Sequence, residues 1–267
     1  MRPPAPSAAA RFLQAYDRQL RVDAELDGAL SVVPLGPVRL ATFDDGRGFV
    51  TYAGADAASV AGWVQKALAY FRQDPAVDRV EWKTRGHDAA PGLPEVLAAN
   101  NFVPADPESI MVGDPAVLAA DVALPRGVTL RSITSPAEVR AVSAMQDTAF
   151  GGEVSESRAD DVIRRLQRAD GTELWAAEYE GTFVSAGRLE PVAGTEFASI
   201  WGGATLAEWR GQGIYRALTA ERARAALRLG KTLIHSDSTE FSRPILERYG
   251  LLKVSTTTPY TWNRPAA

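Results

Sequence analysis

Glu208 to Leu218 reads EWRGQGIYRAL, with glycines at 211 and 213, an arginine before them and an amphipathic stretch after them. Removing two Cβ atoms where a strand gives way to a helix has a physical use. The first-turn N–H groups of a helix have no partners within the helix, and the macrodipole makes that end positive. A phosphate can approach bare backbone closely there and accept several N–H bonds at once. Arg210 and Arg216 flank the loop and offer charge-assisted contacts. The residues alone also fit a plain tight turn, with glycine in a left-handed conformation and the arginines in solvent.

The strand before this loop, EFASIWGGATL, carries its own glycine pair, Gly202-Gly203. Glycine inside a strand marks a bulge or the close approach of a ligand to the backbone. No lysine followed by serine or threonine succeeds the loop glycines, which disfavours a Walker-type nucleotide site. The elements before the loop read as an antiparallel meander, which disfavours a dinucleotide fold built from βαβ units.

A bulged strand feeding RGQGIY and then a helix resembles the GNAT superfamily of acyl-CoA N-acyltransferases, whose cofactor signature is Q/R-x-x-G-x-G/A. The match falls at Arg210 and Gly213; Tyr215 stands where glycine or alanine is usual. The resemblance runs from Val128 to Trp262 and extends to SRPILERYGLLKV, which is similar to the family's late helix and last strand. It implies acetyl-CoA or another acyl-CoA as cosubstrate and no metal. The pyrophosphate would rest on Arg210, Gly211, Gln212, Gly213, Ile214, Tyr215 and Arg216. The pantetheine arm would lie along Ala204, Thr205 and Leu206, within reach of Ser242. An amine would attack the thioester directly, in a ternary complex.

The family's usual acid, a tyrosine on the late helix, falls here on Leu246, which has no proton to give, and Thr239 replaces an asparagine. Tyr215 and Tyr249 are the remaining phenolic candidates for the acid. Glu178, Glu190, Glu196 and Asp237 are the carboxylates that strand positions offer for the base. His235 suits proton transfer, but a lone strand histidine is commonly a hydrogen-bonded structural residue. With His87 in the other half, the two histidines make a poor metal site. In the helix after the loop, Arg222, Arg224 and Arg228 fall off the apolar face and read as solvated.

The remaining composition narrows the classes. Of 267 residues, 46% are hydrophobic and 23% charged, and the net charge is −4. No general positive field points to nucleic acid or to an anionic membrane. There is no cysteine, hence no disulfide or thiolate chemistry. No uncharged apolar run reaches the roughly 20 residues of a membrane span. MRPPAPSAAARF has prolines where a secretion leader needs apolar residues, so a cytoplasmic protein is expected.

Proline and glycine punctuation between Val112 and Gly127 divides the chain. The two halves end alike: Val96 falls on Ile245, Leu97 on Leu246 and Phe102 on Leu251, and SIMV at the same offset falls on TPYT. The expected architecture is α+β, a mixed, mostly antiparallel sheet flanked by helices, in two similar tandem domains. Residues 1–113 would form a degenerate domain without a cofactor loop, 114–126 a linker and 127–267 the acyl-CoA-binding domain. In the first half Asp56 is placed to cap a helix over DAASVAGWVQKALAYFRQD, where it would repel a pyrophosphate. The expected function is acetyl transfer to a primary amine of a small molecule or chain terminus. The alternative is a non-catalytic acyl-CoA-binding sensor or scaffold.

Overall fold

Short alternating segments bounded by glycine, proline and aspartate set the strands, and 3.6-residue apolar periodicity sets the helices between them. The computed structural model describes residues 6–52 and 54–265. In chain order the first elements are α1 (Ala8–Gln19), β1 (Ser31–Leu35), β2 (Val38–Thr42), β3 (Arg47–Tyr52), α2 (Val64–Arg72), β4 (Arg79–Arg85), α3 (Leu93–Ala99), β5 (Val103–Pro104) and β6 (Glu108–Gly113). There follow α4 (Pro115–Leu118), β7 (Val128–Ile133), α5 (Pro136–Ala149), α6 (Glu156–Gln167), β8 (Glu173–Tyr179), β9 (Thr182–Pro191), β10 (Phe197–Thr205), α7 (Ile214–Arg228), β11 (Leu233–Ser238), α8 (Arg243–Arg248) and β12 (Leu252–Asn263). The late strand–helix–strand order that the two halves share in sequence is present as β4, α3, β6 and as β11, α8, β12.

Compactness divides the chain into two units that no single cut separates. The first holds Met1–Ile110, Asp237–Arg243 and Lys253–Ala267; the second holds Met111–Ser236 and Pro244–Leu252. Each half's last strand thus contributes residues to the other half's unit: Met111 onward in β6 to the second, Lys253 onward in β12 to the first.

In the first unit β1, β2 and β3 form an antiparallel meander, β4 joins β3 in parallel, and β12 pairs with β4 antiparallel from Thr257 to Asn263. Val50, Val80, Trp82 and Trp262 meet Val64, Leu68, Phe71 and Leu97 in one buried cluster. Arg264 fixes the end of the strand by donating to the carbonyls of Val77, Asp74 and Phe71. Ser7 caps α1, accepting from the Ala10 N–H at 3.2 Å. The helix expected to start at Asp56 is α-helical only from Val64; a 3-10 stretch over Gly54–Trp63 precedes it. The Asp56 side chain, and with it the expected cap, lies outside the described residues.

In the second unit β7, β8, β9 and β10 are antiparallel neighbours, and β11 joins β10 in parallel. Glu180 and Gly181, both at positive φ, make the β8–β9 turn that the sequence places there. Alternation sorts the two faces. Leu174, Ala176 and Ala186 pack under Val139, Val142, Met145 and Val162 of α5 and α6. Leu189, Ala198, Ile200 and Ile234 pack on the other face against Ala223 and Ala226 of α7 and Leu246 of α8.

Candidate functional site

The site is built where β10 outruns its parallel neighbour. β10 and β11 pair only over Phe197–Ser199 and Leu233–His235, while β10 continues along β9 to Thr205. The β9–β10 register shifts between Trp201 and Ala204, which is the bulge expected at Gly202-Gly203. Gly202 is exposed, with φ +61, a conformation that glycine alone adopts freely. Its carbonyl accepts from Gln146 Nε2 at 2.5 Å, so α5 holds the bulge from one face. From the other face the Tyr215 ring occupies the space above Gly203: a Cβ there would lie 2.7 Å from it. Ser185 Oγ donates to the Ala204 carbonyl at 2.7 Å, tying the far end of β10 to β9.

Beyond β10 the chain makes a short 3-10 turn, Ala207–Trp209, and then the glycine loop. Gly211 at φ +75 and Gly213 at φ +83 both take the left-handed conformation, and nothing lies within 4 Å of a Cβ built on Gly211. Gly213 is the N-cap of α7 and offers no side-chain cap. Among the described residues no acceptor takes the N–H groups of Gly211, Gln212, Gly213, Ile214, Tyr215 or Arg216; the first loop–helix bond is from the Ala217 N–H to the Gly213 carbonyl. The loop therefore presents a run of unaccepted amides at a helix N-terminus, and it is exposed from Glu208 to Gly213 save for half-buried Trp209. Arg210 does not point freely into solvent. Its guanidinium donates to the carbonyls of Thr205 at 3.0 Å and Ala149 at 3.1 Å, bracing the loop. Arg216 lies over the Tyr249 ring, 4.3 Å from its centroid.

The candidate acid–base residues fall in several places. Glu178 accepts from Arg131 Nε at 2.7 Å on the outer β7–β8 pair. Glu190 stands opposite Ser199 in the β9–β10 register, and Ser199 stands opposite His235. Opposed residues share a face, so these three side chains line up where the β10–β11 pairing ends. Ser199 Oγ is 3.1 Å from His235 Nδ1, and the Trp201 ring meets the imidazole edge-on. Arg188 and Arg165 both donate to Glu190. Asp237 belongs to the first unit, where Lys83 Nζ donates to it at 2.6 Å; its side chain is 1% exposed. Burial alone pushes Lys83 down, but the Asp237 charge outweighs it and holds the ammonium above its ordinary range. Ser242 also belongs to the first unit and shares a long hydrogen bond, 3.4 Å, with Thr239. Tyr249 packs against the core of the second unit, and Leu246 is fully buried there.

Arg222 corrects the reading of α7. The sequence places it on a solvated face with Arg224 and Arg228, but it is 1% exposed. Arg224 bonds Asp121 and Glu221, and Arg228 reaches Glu173 near the surface. Arg222 instead turns inward because Gly187 on β9 lacks a side chain: a Cβ there would lie 2.5 Å from Nη1. Gln146, Ser199 and Gly187 also go unnoticed in the sequence. Only Gly187, a lone glycine within a strand pattern, carries a signal that could have marked it.

Comparison with known proteins gives the class. Residues 139–250 match the Acetyltransferase (GNAT) family, and that segment is a GNAT acetyltransferase domain. No curated protein matches the chain by sequence. Among solved structures it is similar to a GCN5-related N-acetyltransferase from Kribbella flavida, at TM-score 0.67 and 22% identity over 98% of each chain. It is similar to a tandem GNAT protein from the clavulanic acid biosynthesis pathway, at TM-score 0.61 and 16% identity over 98% of this chain and 99% of that one. A GCN5-related N-acetyltransferase from Sphaerobacter thermophilus matches at TM-score 0.61 and 18% identity, over 100% and 96%. These likenesses show the fold along the whole chain: a mixed, mostly antiparallel GNAT sheet with flanking helices, of a length that fits two domains. The family uses an acyl-CoA as cosubstrate and amines as acceptors. No helix among the described residues is long and apolar enough to cross a membrane.

Proposed function

We propose that the chain is an acyl-CoA-dependent N-acyltransferase, moving an acetyl group to a primary amine of a small molecule or peptide terminus in a cytoplasmic setting. The observation that carries this reading is the run of unaccepted N–H groups from Gly211 to Arg216, beside a β10 edge that β11 leaves open after Ser199. A diphosphate supplies acceptors for such amides and a negative charge for the helix end. The residues present fit the group: no side chain caps the helix, and no Cβ fills the loop. Arg210 shapes this cradle, Arg216 with Tyr249 forms its wall, and the edge of Ala204, Thr205 and Leu206 takes the pantetheine amides. Residues 1–113 then serve as the cofactor-free copy and 127–267 as the catalytic one.

The bound thioester supplies an activated carbonyl. The chain aligns a neutral amine against it, removes the amine proton and protonates the sulfur. Glu190 is the proton acceptor that the register brings nearest the open edge, level with Ser199 and His235. Glu178, bonded to Arg131 on the β7–β8 pair, and Asp237, bonded to Lys83 in the first unit, are the other carboxylates proposed for the base. Glu190→Gln is expected to lower kcat roughly 10²-fold with little change in acetyl-CoA affinity. Thiol release from acetyl-CoA, followed across a panel of primary amines, tests the activity; amine-dependent release supports it. The buried Leu246, at the position of the family's tyrosine, favours a second reading, a non-catalytic acyl-CoA sensor. Tight binding with no release under any amine would select that reading.

A further inference from the structure

Arg222 is a guanidinium with 1% exposure and no carboxylate partner among the described residues. Its Nε donates to the Leu218 carbonyl at 3.2 Å and its Nη2 to Thr219 Oγ1 at 3.0 Å. The Tyr215 ring lies beside the guanidinium, and the like charge of Arg188 acts against it. Burial accordingly pushes Arg222 below the ordinary arginine range, though an arginine stays charged in any case. Leaving a buried cation without a counter-ion is costly, so a packing role alone explains it poorly.

The placement of this cation is specific. Tyr215 and Arg222 are seven residues apart on α7, two turns along one face. Helical side chains lean toward the N-terminus, so Arg222 extends back to Tyr215; its guanidinium carbon is 5.9 Å from the ring centroid. Two glycines on adjacent strands make the room: Gly187 for the guanidinium, Gly203 for the phenol ring. The would-be Cβ of Gly203 lies 3.4 Å from the Tyr215 hydroxyl oxygen. Arginine has donors only, so it cannot take up the phenolic proton, which is left to be donated elsewhere.

We propose that Tyr215 and Arg222 form a dyad at the bulge, with Tyr215 the acid that protonates the departing coenzyme A sulfur and Arg222 a positioning residue that orients it. The dyad takes over the task for which Leu246 has no proton. It rests on the function proposed above, which places the thioester beside Gly202-Gly203. In the step, the amine nitrogen forms the bond to the acyl carbon and the carbon–sulfur bond breaks. Sulfur keeps that electron pair and takes the Tyr215 proton; Glu190 takes the proton shed by nitrogen. Solvent then reprotonates Tyr215 and deprotonates Glu190, closing the balance. The guanidinium stabilises the phenolate during the interval.

The test compares the full chain with Tyr215→Phe, Arg222→Lys and Arg222→Met, using acetyl-CoA and whichever panel amine the wild type turns over fastest. Tyr215→Phe keeps the ring packing and loses one hydroxyl. It is expected to lower kcat about 10²-fold while the calorimetric Kd for acetyl-CoA stays within about threefold. Its solvent deuterium isotope effect on kcat is expected to differ from the wild type's. Arg222→Lys should retain more of kcat than Arg222→Met. Full kcat in Tyr215→Phe overturns the dyad and leaves the proposed function standing. Binding without thiol release by the wild type overturns the dyad as an acid, and no binding of acetyl-CoA at all overturns the proposed function with it. Should Arg222→Met fail to fold, Tyr215→Phe alone decides.

Discussion

Gly211 and Gly213 differ from the other residues of the site in acting through what they lack. With no atoms within 4 Å of its would-be Cβ and φ at +75, Gly211 tolerates a side chain in space but not in conformation. Gly211→Val is therefore expected to cost about 1–3 kcal/mol of stability, the usual range for a strained left-handed residue. The branched side chain would cover the amides, so acetyl-CoA affinity should fall at least about 100-fold; unchanged affinity by calorimetry would contradict the cradle. Lys83 poses the opposite case, a charge whose partner is fixed. Asp237, with 1% side-chain exposure, has Lys83 Nζ at 2.6 Å, so Lys83→Met removes the cation bonded to a buried carboxylate. The expected cost is about 3–5 kcal/mol in chemical denaturation. Because the folded lysine titrates above its unfolded value, its stabilisation is complete below the ordinary lysine pKa and is lost as pH rises through the raised one. An alkaline stability limb present in the wild type and absent in Lys83→Met is the expected signature.

At the scale of elements, what was legible in the sequence is what the backbone does. The strand, bulge, glycine loop and helix from Phe197 to Arg228 follow from glycine spacing and apolar period, and the structure has them in that order. The partners of charged side chains were not legible. Glu190 meets Arg188 two residues back on its own strand but also Arg165 on α6, and Asp237 meets Lys83 154 positions earlier; which distant segments pack together is a tertiary quantity. Arg222 shows the same limit within one helix. Helical period places it off the apolar stripe, yet a glycine 35 positions earlier opens the sheet to receive it. Reading that burial from the sequence would have required knowing that β9 lies under α7.

For the molecule as a whole, the repeat between the halves was legible in residue matches such as Leu97 with Leu246, both fully buried. The assignment of the last strand to a unit was not, since a strand's own residues do not say which edge it will join. Trp262 is 2% exposed in the core of the first unit, and Thr257 to Asn263 pair with β4. Ending the chain at Leu252 is expected to unfold the first unit. Loss of a buried tryptophan alone costs about 3–5 kcal/mol, a large share of a typical total of roughly 5–15 kcal/mol. A truncated chain with unchanged circular dichroism and a wild-type unfolding transition would contradict that assignment.

The central claim, that the amides of the Gly211–Arg216 loop hold the diphosphate of an acyl-CoA, is tested most directly by titrating the full chain with acetyl-CoA in a calorimeter. The account predicts saturable binding of one molecule per chain, since only the second half has the loop, with Kd in the range of about 1 μM to 1 mM typical of enzyme substrates. No heat and no thermal stabilisation at millimolar acetyl-CoA would contradict it.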